Sequence, residues 1–156
     1  SENDFSFDSE AERKWAELLK EIRVSSISQS NEDGLGLENG KFLWGKNFPL
    51  NSEIKYEYFS DGIHSSYPDF VMKDKKGRIH IFEVKSVNKS SSLNISEEEY
   101  DTKVLNLKEC YKACSQKTTH IFYLPILDGN TWKITKFEKG IETTIDKKTF
   151  IDGLKV

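Results

Sequence analysis

Three side chains in the middle of the chain could hold and use a hard cation. Asp69 follows Pro68, thirteen residues separate it from Glu83, and Lys85 stands two beyond Glu83. Two apolar runs, Pro68 to Lys73 and Arg78 to Lys85, flank the turn Asp74-Lys75-Lys76-Gly77 and read as a β-hairpin. A three-residue loop of Lys75, Lys76 and Gly77 pairs Asp74 with Arg78, and glycine suits the left-handed third position. Carried along the ladder, that register sets Asp69 opposite Glu83. Directly opposed residues share a face, with Cβ atoms about 4.5–5.5 Å apart. Lys85 falls on that face too, because side chains alternate along a strand.

Two opposed carboxylates repel each other unless something cationic lies between them. A divalent ion that prefers oxygen ligands satisfies both, and Mg²⁺ is the usual choice, with Mn²⁺ as a substitute. Such an ion stabilises charge developing on a phosphate, and an adjacent amine can position or help deprotonate an attacking water. The plain alternative is a structural Asp/Glu–Lys ion pair at a strand end.

The elements that must position these groups can be read from periodicity. Ser9 and Glu12 form a capping-box pattern, and Ala11, Trp15, Leu18, Leu19 and Ile22 recur at helical spacing, which predicts a helix over about 10–24. Residues 25–40, rich in Ser, Asn, Asp and Gly, read as a loop. Short strands are expected at 41–45 and from Ile54 to Phe59. In the run from Arg78, Ile79 and Ile81 share one face with Glu83 and Lys85, while His80, Phe82 and Val84 share the other. A strand apolar on both faces is a central one. Residues 86–96 read as another loop. Ser96 and Glu99 open a second helix that runs to about 115 through Tyr100, Val104, Leu107, Tyr111 and Cys114. Thr119 to Leu127 is an apolar strand broken late by Pro125; Asp128-Gly129-Asn130 turns it into a partner over Thr131–Phe137. The expectation is one domain over 1–156, with 1–8 and 141–156 peripheral.

Pro68-Asp69 and Glu83-Val84-Lys85 on a strand–turn–strand resemble the motif of the PD-(D/E)xK nuclease superfamily. Trp44-Gly45-Lys46-Asn47, Ser66-Tyr67-Pro68-Asp69-Phe70 and Ile81-Phe82-Glu83-Val84-Lys85 further resemble the C-terminal endonuclease domain of the restriction subunit of type III restriction enzymes. The resemblance spans 10 to about 135 and is strongest over 44–86. It implies an α/β restriction-endonuclease-like core, with a mixed sheet of four to five strands flanked by helices. It also implies a Mg²⁺-dependent endonuclease that cuts double-stranded DNA. Asp69 and Glu83 would be metal ligands, Val84 would lend its carbonyl, and Lys85 would serve the water. The family's subunit also carries a helicase-like ATPase motor and works with a modification methyltransferase. No G-x-x-x-x-G-K-S/T motif occurs here, so the chain reads as the nuclease piece alone, in keeping with a first residue Ser1.

The superfamily often adds a glutamate from the first helix. Of Glu10, Glu12, Glu17 and Glu21, Glu12 lies closest to the edge of the apolar stripe and Glu17 points almost directly away. Glu12-x-x-Trp15 also resembles the family's helix start. Its plain role would be to close the capping box with Ser9.

Composition sets the outer bounds. The 156 residues are 36% hydrophobic, 12% aromatic and 31% charged, which excludes collagen, coiled coil and wholesale disorder. No signal peptide or membrane span is readable, and two cysteines four apart read as reduced helix-packing thiols of a cytoplasmic protein. The sequons at Asn88 and Asn94 are then chance matches. The net charge of −3 hides a gradient: residues 1–38 carry ten acids and four bases, residues 71–89 six bases and two acids. A polyanion is drawn to the middle of the chain.

No Cys or His pair has zinc spacing. His80 reads as a hydrogen-bonded core histidine, His64 and Lys46 as weak phosphate-contact candidates, His120 as isolated, and Lys103, Lys108 and Lys112 as a solvated helix face. Two rivals stay open. One is a Holliday-junction or repair nuclease on the same fold. The other is a non-catalytic module that binds DNA or protein and keeps the carboxylates as relics.

Overall fold

The computed structural model describes residues 10–22, 43–46, 56–59, 63–66, 68–87 and 97–154. Helix α1 covers 10–22. It is followed by β1 (Leu43–Lys46), β2 (Tyr56–Phe59), β3 (Ile63–Ser66), β4 (Phe70–Lys73), β5 (Ile79–Phe82) and β6 (Lys85–Ser86). Helix α2 (Glu97–Lys117), β7 (Ile121–Asp128), β8 (Thr131–Glu138), β9 (Ile141–Ile145) and α3 (Lys147–Leu154) complete the order.

The protein is α/β. One sheet has the order β1-β4-β5-β7-β8-β9, with β6 also on β7, and β2 and β3 form a separate pair. The sheet is mixed: β5 and β7 are parallel, and the other neighbours on the main path are antiparallel. A parallel pair needs a long crossover, and α2 supplies it. The sheet exceeds the four to five strands expected because β9 extends one edge and β6 adds a short pairing on β7.

Helices cover both faces. Ala11, Trp15, Leu18, Leu19 and Ile22 of α1 and Phe150 and Leu154 of α3 share a core with Phe70, Met72, Phe82, Val84, Tyr123 and Ile134. Leu107 and Tyr111 of α2 share a second core with Ile81, Phe122, Leu124 and Phe137. Alternate residues of β5 and β7 thus enter opposite cores, the two-sided burial that defines a central strand. Trp15 is fully buried, with ring centroids 5.0–5.3 Å from those of Trp132, Phe150 and Phe82. Burial of so large an aromatic anchors α1 on the sheet.

Residues 141–156, expected at the periphery, also feed the core. Phe150 and Leu154 are buried, and Asp146 caps α3 by accepting the Thr149 N–H at 2.8 Å. The strand β3 was not legible in the sequence, and Pro125 does not break β7. The capping residues Ser9 and Ser96, the expected loop at 25–40, and Asn88 and Asn94 lie outside the described residues. No helix among the described residues is long and apolar enough to cross a membrane.

Candidate active site

The β4–β5 hairpin has the register expected from its turn. Phe70 pairs with Phe82, Met72 with His80, and Lys73 with Ile79. Asp74 N–H donates to Arg78 O and Gly77 N–H to Asp74 O, each at 3.0 Å, and Gly77 has φ 82°. That left-handed value is open to glycine at no steric cost.

At the other end of the hairpin the ladder departs from the expectation. Asp69 N–H donates to Phe82 O at 2.8 Å, although Phe70 is the residue paired with Phe82. Two residues opposing one make a β-bulge, which re-aims a side chain. Regular alternation would place Asp69 with Val71, on the α2 side of the sheet. At the bulge that alternation lapses. The Asp69 carboxylate accepts the Val84 N–H through Oδ2 at 2.7 Å. Asp69 is therefore not the simple cross-strand partner of Glu83; its carboxylate is fastened to the neighbouring backbone.

Glu83 and Val84 occupy a lapse between β5 and β6, and the cause lies on β7. Both strands keep one register against β7, with Phe82 beside Tyr123 and Lys85 beside Ile126. Glu83 N–H donates to Tyr123 O at 3.1 Å and Val87 N–H to Leu127 O at 3.0 Å. Between these rungs stands Pro125, which has no N–H to contribute. Its positive contribution is to leave the chain extended there without a full ladder. Val84, fully buried, points its N–H away from β7 by ordinary strand alternation and donates it to Asp69.

Four ionisable groups meet around this lapse. The Asp69 carboxyl is pushed well above the usual carboxylate range, first by burial, then by the negative charges of Glu83 and Glu12. Lys85 and the Val84 N–H oppose that rise. Lys85 Nζ lies 3.4 Å from Glu83 Oε1, with side chains 23% and 13% exposed. Glu12 is partly buried, whereas Glu10, Glu17 and Glu21 are exposed. Glu17 is held by Arg13 at 2.7 Å and Glu10 by Lys14 at 3.6 Å. The helical phase that favoured Glu12 matches this arrangement.

The side-chain oxygens coupled here are those of three carboxylates, Asp69, Glu83 and Glu12. That is the ligand chemistry of Mg²⁺ or Mn²⁺. A carboxylate made reluctant to ionise by two neighbouring carboxylates is one that a divalent cation would relieve. Among the described residues, no group of three or more His, Cys, Asp or Glu side chains is placed to hold a metal ion.

The residues set aside in the sequence find other roles. His80 is buried, with Nδ1 2.8 Å from the Tyr123 hydroxyl and Nε2 2.9 Å from Asp74 Oδ2. Burial lowers its pKa, against the pull of Asp74. Asp74 also accepts the Lys76 and Arg78 N–H groups at 2.9 Å and Arg78 Nε at 2.6 Å. Sequence reasoning missed this buried chain; the signal was Asp74 preceding a turn whose next strand begins Arg-x-His. Lys46 and His64 are described only as strand positions, in β1 and β3. Lys103, Lys108 and Lys112 lie on α2.

No protein-family model, no curated protein and no solved structure matches the chain. What the fold defines is an α/β class with a mixed open sheet between helices.

Proposed function

We propose that the chain is a Mg²⁺-dependent endonuclease module that hydrolyses phosphodiester bonds of double-stranded DNA. The single observation behind this reading is the Asp69 carboxylate, fastened to the Val84 N–H at 2.7 Å at the head of the hairpin, with Glu83, Glu12 and Lys85 within electrostatic reach of it. Asp69 and Glu83 would hold the ion. Val84, whose N–H already meets the Asp69 carboxylate, would lend its carbonyl to the same ion. Glu12 would be the third carboxylate. A divalent cation bound there supplies charge stabilisation at the phosphate.

The chain's own residues supply the rest. Lys85, anchored by Glu83, orients the attacking water and stabilises negative charge developing on the phosphoryl oxygens. Water adds to phosphorus, the bond from phosphorus to the leaving oxygen breaks, and the proton lost by the water is balanced by one gained by that oxygen. Exposed Lys73 lies about 13 Å of strand from Asp69, four residues at roughly 3.3 Å each, and exposed Lys75 and Lys76 follow in the turn. That distance suits contact with the backbone of the same duplex.

The finer reading is the cleavage module of a type III restriction enzyme or related helicase–nuclease, cytoplasmic, joined to an ATPase motor and partnered by a methyltransferase. It rests on the sequence resemblance over 44–86. The Glu83–Lys85 ion pair favours one rival, a non-catalytic binding module in which these charges only neutralise each other. Plasmid nicking with Mg²⁺ or Mn²⁺ separates the two. The expected result is nicking by the wild type, a loss of roughly 10²–10³-fold for Lys85→Ala, and no nicking by Asp69→Ala. Lys85→Ala should still bind Mn²⁺, while Asp69→Ala should not. Cleavage by Lys85→Ala at the wild-type rate would overturn the role of Lys85. Absence of cleavage by the wild type joined to its motor, under either metal, would give the binding module the lead.

A further inference from the structure

A second reactive site lies on α2, on the opposite side of the sheet from α1. Cys110 and Cys114 sit one turn apart on this helix, both half-buried. Their sulfurs are 4.0 Å apart, within reach of an S–H···S hydrogen bond. We propose that Cys114 is a peroxide-reactive thiol and Cys110 its resolving partner, so that the pair forms a reversible disulfide within α2.

The chemistry follows from the surroundings. The hydrogen bond from Cys110 holds the Cys114 thiol at about 7, helped by the positive charge of Lys117 and opposed by burial. The Cys110 thiol is pushed up, chiefly by its bond to Cys114. Lys117 stands three residues from Cys114 and seven from Cys110, so its charge favours the Cys114 thiolate, while the S–H···S contact leaves the shared proton to Cys110. A thiolate with a lowered pKa, part-exposed and beside a second thiol, is the arrangement of redox-sensing cysteines.

The oxidant is a hydroperoxide. The Cys114 thiolate attacks the terminal peroxide oxygen, the O–O bond breaks, and the released oxygen leaves as water or alcohol once protonated. Cys114 is then a sulfenic acid. The Cys110 sulfur attacks the Cys114 sulfur, the S–O bond breaks, and hydroxide leaves as water with the proton of Cys110. Two thiols and one hydroperoxide give one disulfide, one water and one further water or alcohol.

Helix geometry makes the product labile. Side chains four apart on a helix have Cβ atoms about 5–6 Å apart, whereas a disulfide requires roughly 3.5–4.5 Å. The turn must tighten, and strained disulfides are the readily reduced, regulatory ones. Tyr111 lies on that turn, buried with its ring 5.1 Å from that of Phe122. Oxidation therefore acts where α2 grips the sheet.

The test treats the full chain with hydrogen peroxide and follows intact mass and thiol content. Wild type should lose two hydrogens without dimerising and regain them with dithiothreitol. Cys110→Ser should stop at a sulfenic acid on Cys114 that dimedone captures. Cys114→Ser should lose its remaining thiol at least ~10-fold more slowly than wild type loses its first. Equal rates in wild type and Cys114→Ser would overturn the proposal, as would disulfides formed only between chains. Retention of helical circular dichroism by both serine variants keeps a slow rate from being mistaken for misfolding.

Discussion

Asp69 is the residue on which charge, backbone and function converge. Its pKa lies above the ordinary carboxylate value in the folded protein, so its ionised form weakens the fold, and that weakening is complete above the folded pKa. Protonation relieves it, and the relief grows as pH falls through the folded pKa toward the unfolded one. Without metal, Asp69→Asn should therefore be more stable than wild type at neutral pH, since the amide oxygen can still accept the Val84 N–H. The difference in urea midpoint should shrink on acidification; a gap that stays constant with pH would contradict the assignment. Asp74 behaves in the opposite way. Burial tends to raise its pKa, but hydrogen bonds from His80 and Arg78 outweigh it and lower it. Its stabilisation is present above the ordinary aspartate value and lost as pH falls through the depressed one. Asp74→Ala removes the acceptor of four hydrogen bonds and should cost about 3 kcal/mol in equilibrium unfolding.

At the scale of elements, the site is made where regular pairing stops. The bulge at Asp69 and the proline at 125 act from opposite sides of β5. One frees a carboxylate from strand alternation; the other leaves Glu83 and Val84 outside the continuous ladder. A second junction joins α2 to the β8–β9 turn. Gly140 N–H donates to the Ser115 hydroxyl at 2.9 Å, and that hydroxyl donates to Lys112 O at 2.7 Å. Gly140 has φ 79°, and an added Cβ would press on the Gln116 side chain. Gln116 is exposed and flexible enough to move, so the backbone penalty decides the outcome. Gly140→Ala should destabilise by about 1–2 kcal/mol, read as a lower thermal midpoint with no change in metal response.

For the whole molecule, the proposed function predicts a link between folding and metal. A cation that binds the folded site and not the unfolded chain stabilises by mass action, about 2.7 kcal/mol at a concentration one hundred times its dissociation constant. Mg²⁺ or Mn²⁺ should raise the melting temperature of wild type, and Asp69→Asn should abolish the rise. An equal rise in both would place the ion elsewhere. The charge gradient from acidic start to basic middle has a counterpart in the exposed lysines at the hairpin tip. Lys75→Ala with Lys76→Ala should weaken duplex binding and reduce its salt dependence, measured by titration at several ionic strengths.

Local rules made much of this readable from residues alone. The phase of α1, the glycine turn at 77, the hairpin register and the central position of β5 all depend on neighbours within a few residues, so periodicity and turn chemistry carry them. Glu12 emerged the same way, from its angle to the apolar stripe. Three features depended on contacts distant in sequence. Pro125 reads as a break in β7, yet β7 runs through it because its missing N–H falls on the side of β5 and β6, not on the side of β8. The bulge at Asp69 is fixed by its N–H on Phe82 O and by the Val84 N–H on its carboxylate, partners across the hairpin. The hydrogen-bonded chain from Asp74 through His80 to Tyr123 joins residues up to 49 positions apart. Residues 141–156 showed little pattern because β9 is an exposed edge strand and α3 buries only Phe150 and Leu154. Sequence could supply the groups and most of the elements. Which groups meet was decided by tertiary packing, because burial and electrostatic coupling exist only after distant strands lie side by side.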